Sequence, residues 1–193
     1  MAYFQFFSDE EMTQPLAVLS FSKDLDQTAA ASRGVAYFGA QLNFIKLETT
    51  ENAGVDSVTL TPSLTAAEPE RSAAVAAGDE FIVSGYVFRT ITAGTTAAAE
   101  PVYPAVLGDV VDDGTATLQC VAVAPAVGDL KLSLSAAGLD TAQGGASLSL
   151  GATVRGGAPI AVYYEFSNSL TAPFEPASPL LCIAINECTV STI

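Results

Sequence analysis

The chain predicts an antiparallel all-β protein, on three observations. Apolar residues recur with period two, as in Asp129-Leu-Lys-Leu-Ser-Leu-Ser135, which puts Leu130, Leu132 and Leu134 on one face. Turn-forming clusters (Asn52-Ala-Gly54, Asp113-Gly114, Gly144-Gly145, Gly156-Gly157) separate these runs at intervals of roughly 8–12 residues. Helical periods are scarce: the one alanine-rich candidate, Ala66–Ala77, is interrupted by Pro69 and reads as a linker or a single turn. Many short strands so spaced form a sandwich or a barrel.

Taken in order, the strands are expected at Tyr3–Phe7, Leu16–Phe21, Val35–Phe38, Leu42–Leu47 and Val58–Thr61, each rich in aromatic or branched residues. A long strand is expected over Phe81–Thr90, then others over Ala116–Val123, Asp129–Ser135, Ala146–Leu150, Ile160–Phe166 and Leu180–Asn186. Residues 1–67 form an N-terminal β segment that is part of the sandwich. Residues 68–125 open with an Ala/Glu/Pro linker and hold a small Gly/Pro-rich β module, and 126–193 form the C-terminal sandwich segment. The middle block is either inserted between two halves of one sandwich or one bead on a string.

Composition removes several functions. There are 7 Lys+Arg against 21 Asp+Glu, a net charge of −14, and no histidine or tryptophan among the 193 residues. Without histidine there is no Ser-His-Asp triad, Cys-His pair or HExxH zinc site. Seven dispersed cations do not make a nucleic-acid patch, and the acidity opposes anionic membranes. Mean hydropathy is +0.40, yet the longest apolar runs, Val102–Leu107 and Leu180–Ile185, fall far short of the ~20 residues of a spanning helix. The N-terminus lacks the basic and apolar regions of a secretory signal. High apolar content with few charges then points to surface covered by other subunits.

Candidate chemistry is thin. Asp109, Asp112 and Asp113 bunch carboxylates but miss the calcium-loop spacing, because position three is Val111 and position twelve Cys120. Leu139-Asp140-Thr141 has the outline of an aspartic-protease loop without a second copy, and reads as a turn capped by Asp140. No catalytic residue, metal ligand or cofactor site is expected. Cys120, Cys182 and Cys188 are an odd set of small thiols, with a turn at Asn186-Glu187 needed to bring the last two together. Tyr3, Phe4, Phe6 and Phe7 crowd the N-terminus, and Tyr86, Phe88 and Tyr103 the middle block. Such rows stack sugars or pack interfaces, and packing is favoured where tryptophan is absent.

In the middle block, Tyr86-Val-Phe88-Arg-Thr-Ile-Thr-Ala-Gly94-Thr leads to Glu100-Pro101-Val-Tyr103-Pro104, then to Gly108-Asp109-Val-Val-Asp112-Asp113-Gly114-Thr-Ala-Thr-Leu118. This resembles a short module of tailed-phage structural proteins that runs AGT…EP-x-(W/Y)-P…DGT, with Tyr103 and Leu118 where that family commonly carries tryptophan. Gly94 and Gly114 suit positive-φ turns, and Pro101 and Pro104 stiffen an extended loop. The stretch from Leu139 to Gly151, followed by Gly156-Gly157-Ala-Pro-Ile-Ala-Val-Tyr-Tyr, is similar to Ig-like β-sandwich segments of phage virion proteins. The resemblance covers about half of the chain. It implies a non-enzymatic virion structural protein on the particle exterior, assembled in the bacterial cytoplasm. A head decoration or cement protein binding the major capsid protein as a homo-oligomer, a trimer, is the first expectation. A tail, baseplate, neck or fibre protein with a protein- or glycan-binding module is the alternative. In either case no nucleic acid and no membrane is a partner, and Tyr3–Phe7 is expected to be an exposed strand docking on a neighbour by strand addition.

Overall fold

A computed structural model describes residues 3–16, 31–64, 68–167 and 181–193. Strand accounts for 47% of it, and there is no α-helix among the described residues. In chain order the strands are β1 (Gln5–Phe7), β2 (Ser32–Gly39), β3 (Ile45–Thr49), β4 (Thr59–Leu64), β5 (Ala74–Val75) and β6 (Glu80–Val83). They continue with β7 (Tyr86–Thr92), β8 (Gly94–Thr95), β9 (Val110–Asp113), β10 (Ala116–Val123) and β11 (Leu130–Ser133). The last are β12 (Leu148–Ser149), β13 (Val154–Arg155), β14 (Ile160–Phe166), β15 (Leu181–Ile185) and β16 (Cys188–Thr192). Every pairing is antiparallel.

Pairing divides the strands into two groups. One sheet runs β1-β2-β14-β11, and two three-stranded sheets run β12-β4-β15 and β13-β3-β16, so the beginning and end of the chain pair with each other. Strands β6-β7-β10-β9 form a sheet of their own, with β5-β8 as a short ribbon. The alternation of β3, β10 and β11 makes each amphipathic, and the inner faces of the first three sheets converge on one apolar cluster. Phe38, Leu60, Leu130, Val154 and Val162 sit at its centre, with the Phe4 and Phe6 rings 6.1 and 5.3 Å from Phe38. A second cluster, built from Val75, Val83, Phe88, Ala116, Leu118 and Cys120, lies wholly within the middle segment.

Several expected elements shift. The run Phe81–Thr90 is not one strand but the hairpin β6–β7, because Ser84 and Gly85 both take positive φ (51° and 81°). Two consecutive positive-φ residues give the backward turn whose twist matches a two-residue hairpin. Leu42–Leu47 begins late, at Ile45, so Leu42 and Phe44 stand outside the strand and are exposed. Strand β16 and the short β9 were not foreseen as strands. The expected strand Leu16–Phe21 lies, apart from Leu16, outside the described residues, as do residues 66–67 of the alanine-rich stretch. No helix is long and apolar enough to cross a membrane among the described residues.

A cross-strand ion-pair ladder holds β2, β14 and β11 in register. Arg33, Glu165 and Lys131 are direct neighbours across the three strands. Lys131 Nζ donates to Glu165 Oε1 at 2.7 Å, Arg33 Nε donates to Oε2 at 2.6 Å, and Arg33 Nη2 reaches on to Asp140 at 2.8 Å. The Lys131 bond, followed by Arg33, outweighs burial and holds the Glu165 carboxyl below its ordinary value. A depressed folded-state pKa contributes stability that is full above the unfolded value near 4.3 and lost as pH falls through the folded value. Glu165→Gln is therefore expected to lower stability at pH 7 and to flatten its decline below about pH 5. Urea unfolding across pH 3–7 measures this, and an acid limb as steep as in the parent would contradict it.

Candidate functional site

The residues singled out in the middle segment gather around one buried carboxylate. Asp113 closes β9, where the strand's alternation turns it inward, and its side chain is 0% exposed. Four hydrogen bonds satisfy it: Arg71 Nη1 donates to both oxygens at 3.0 and 3.1 Å, the Tyr103 hydroxyl donates at 3.0 Å, and the Ala97 amide donates at 2.7 Å. Arg71 Nη2 in turn donates to Tyr103 Oη at 3.1 Å and to the Pro69 carbonyl at 3.0 Å. An arginine, always charged and carrying several donors, suits a carboxylate out of water while its other nitrogens tie in Tyr103 and Pro69. Burial and the Asp113 charge, against the opposing effect of Arg71, leave the Tyr103 hydroxyl above its ordinary pKa, so it stays a donor at neutral pH.

The surrounding chain is shaped to bring these groups together. The Tyr103 ring packs on Phe88 at 4.9 Å, tilted by 58°, and Tyr86 lines the same cluster. Gly114 takes φ +70°, where a side chain would overlap the Thr95 carbonyl and come within 2.8 Å of the Ala97 nitrogen. Gly94 does not take the positive φ expected of it; what excludes a side chain there is that a Cβ would meet the backbone of Thr115 and Ala116. Both glycines are thus demanded by backbone passing close to backbone. Thr96, buried, donates to the Glu70 carbonyl and accepts from the Ala73 amide at 3.0 Å, tying the incoming chain to the same point. Pro101 and Pro104 are half-buried on either side of an extended loop, whereas Glu100 is exposed and makes no hydrogen bond or ion pair among the described residues.

With Tyr103 committed inward, its neighbour Val102 points out and is 94% exposed. Val106, Leu107 and Val110 are exposed just beyond it, around a turn closed by the Asp109 amide on the Val106 carbonyl at 3.2 Å. The loop is thereby an apolar display on a rigid base. No protein-family model, curated protein or solved structure matches this chain.

The same geometry places the other candidate residues. The carboxylates Asp109, Asp112 and Asp113 do not converge: Asp113 is taken by Arg71, Asp112 accepts from the Thr117 hydroxyl at 3.0 Å, and Asp109 is exposed. No group of metal-ligating side chains occurs among the described residues. The aromatics Tyr86, Phe88 and Tyr103 face the module's own core and form no stacking platform. The N-terminal row is not the free strand expected. Phe4 and Phe7 are buried and Phe6 packs on the main cluster, leaving only Tyr3 of the four exposed. The outer edge of β1 is also occupied, because the chain folds back so that the Leu16 amide donates to the Phe6 carbonyl at 2.8 Å and the Ser8 amide to Gln14 at 3.0 Å. Asp9 pins that return by accepting from the Thr13 and Gln14 amides.

Arg71 is the partner that sequence reasoning missed, since it stands in a stretch that reads as linker. A lone cation ahead of a segment whose Asp113 must be buried was the available signal. The thiols are free: Cys120 is buried, and Cys182 and Cys188 lie half-buried on β15 and β16, in different sheets. Burial, with Asp109 nearby, pushes the Cys120 thiol above its ordinary value, and burial does the same at Cys188.

Proposed function

We propose that this chain is a non-enzymatic structural protein of a tailed-phage particle: a decoration or cement protein that binds the major capsid protein on the outer head surface. The middle segment carries the reading. The residues by which it resembles phage virion modules (Gly94, Glu100-Pro101, Tyr103-Pro104 and Asp113-Gly114) are, Glu100 apart, those that close the clasp and brace the loop. Module residues spent on holding a loop in shape, rather than on a reacting group, suit a protein whose work is contact. The carboxylates Asp113 and Glu165, removed from water, are each paired with cations, which supports the same reading. In this account the sheet β1-β2-β14-β11 faces the two three-stranded sheets as an Ig-like sandwich, and the middle segment is a module inserted into it.

A second reading has its own observation. Val102 at 94% exposure, between two prolines, suits a projecting tip of a tail, baseplate or fibre protein that meets another protein or a glycan. Mass spectrometry of purified particles combined with electron microscopy, using an antibody to this chain as label, tests both. Label over the outer head is the expected result. Label on the tail moves the assignment to the second reading, and absence from the particle overturns the virion reading altogether.

A further inference from the structure

We propose that copies of this chain associate head to tail, the loop Pro101–Val110 of one copy seating on the outer face of β3 of the next. The inference rests on the reading of the chain as an assembling structural subunit and names the surfaces involved. Two exposed apolar surfaces of opposite charge carry it.

The first is the loop. Val102, Val106, Leu107 and Val110 are exposed, and the charged side chains from residue 96 to residue 112 are Glu100, Asp109 and Asp112, all acidic and all exposed. The second is the outer face of the sheet β13-β3-β16. Register places Arg155, Lys46 and Ser191 in one row across it, and the Ile193 amide donates to the Phe44 carbonyl at 2.9 Å, setting those two side by side in the adjoining position. Phe44 is 55% and Ile193 59% exposed. Lys46 is balanced by Glu48 at 2.7 Å, whereas Arg155, exposed, makes no hydrogen bond or salt bridge among the described residues. Each of the other described cations, Arg33, Arg71, Arg89 and Lys131, is held by a carboxylate. Glu48, on the same outer face, feels the charges of both Lys46 and Arg155, so two cations against one carboxylate leave this face with an excess of positive charge beside apolar surface in a chain of net charge −14.

An acidic apolar surface and a basic apolar surface are complementary to each other and not to themselves. Loop against loop sets Glu100, Asp109 and Asp112 against their own copies. Both surfaces are exposed in one chain, so they do not cover each other within it. The arrangement that buries both is loop to face between copies, a heterologous contact that repeats and closes into a ring when its rotation permits.

Sedimentation equilibrium of the full chain and its variants tests this. The parent is expected to be oligomeric. Arg155→Glu and the pair Glu100→Lys with Asp109→Lys should each weaken association at least about tenfold. Mixed in equal amounts, the two variants should reassociate, because each offers the surface that the other lacks. Leu134→Glu, an exposed change just beyond β11 and outside both surfaces, is the control, and circular dichroism checks that every variant is folded. A monomeric parent, association unmoved by Arg155→Glu, or no recovery on mixing each overturns the contact. A monomer that still labels the phage head would overturn this contact and leave the virion reading standing.

Discussion

Asp113→Ala is expected to cost the middle segment about 3–5 kcal/mol, because removing one partner of a buried pair leaves the other uncompensated. Arg71 would lose the carboxylate that neutralises it, the Ala97 amide its acceptor, and Tyr103 the group that fixes its hydroxyl. The effect should be regional. Hydrogen exchange is expected to accelerate in β7 and β10, which hold the second apolar cluster, while amides of β2 and β14 keep their protection. Replacing both partners, Arg71→Met with Asp113→Leu, should recover part of the loss, since an apolar pair of similar volume leaves no charge stranded. Equal loss of protection in β14 would show that the two clusters unfold as one unit. A loss below about 1 kcal/mol would mean that the pair is no better than a surface salt bridge.

Gly114→Ala is expected to be nearly as damaging, by about 2–4 kcal/mol, for two reasons that separate cleanly. Positive φ costs a side chain roughly 1–2 kcal/mol. The remainder is steric: the new Cβ would press on the Thr95 carbonyl and the Ala97 nitrogen, which are backbone atoms that cannot swing aside. Gly78 supplies the comparison, since its φ is +95° but a Cβ there meets nothing within 4 Å. Gly78→Ala should thus show the conformational cost alone. Thermal melts of both variants measure the difference, and equal destabilisation would remove the steric argument.

Legibility in the sequence followed the kind of signal each element carries. Ala116–Val123 and Ile160–Phe166 have the bounds their apolar patterns predict, because both are central strands whose partners on either side enforce the pattern. The β6–β7 hairpin was missed although Ser84-Gly85 is a turn-marking dipeptide that breaks the apolar run, because the aromatic and branched residues on either side read as one long strand. Gly114 was readable as a turn glycine, and Tyr103 and Asp113 as members of one pattern. That they meet was not readable, because the meeting depends on Arg71, a residue 42 positions before Asp113. The N-terminal aromatics failed differently. Period and composition describe an apolar strand equally well whether its own chain or a neighbour covers it, and here the sheet formed with β2 covers it.

The pairing of β2 with β14 also sets an order of events during synthesis. Phe38 lies opposite Ile160 and Ser32 opposite Phe166, so the strand that runs through the main cluster waits for more than a hundred further residues to leave the ribosome. The strands β5–β10 have all their pairing partners within the fifty residues from Ala74 to Val123, and their short loops close first. The nascent chain therefore carries a finished module while β2 and β3 still present unpaired edges, which is the interval in which it is most exposed to aggregation.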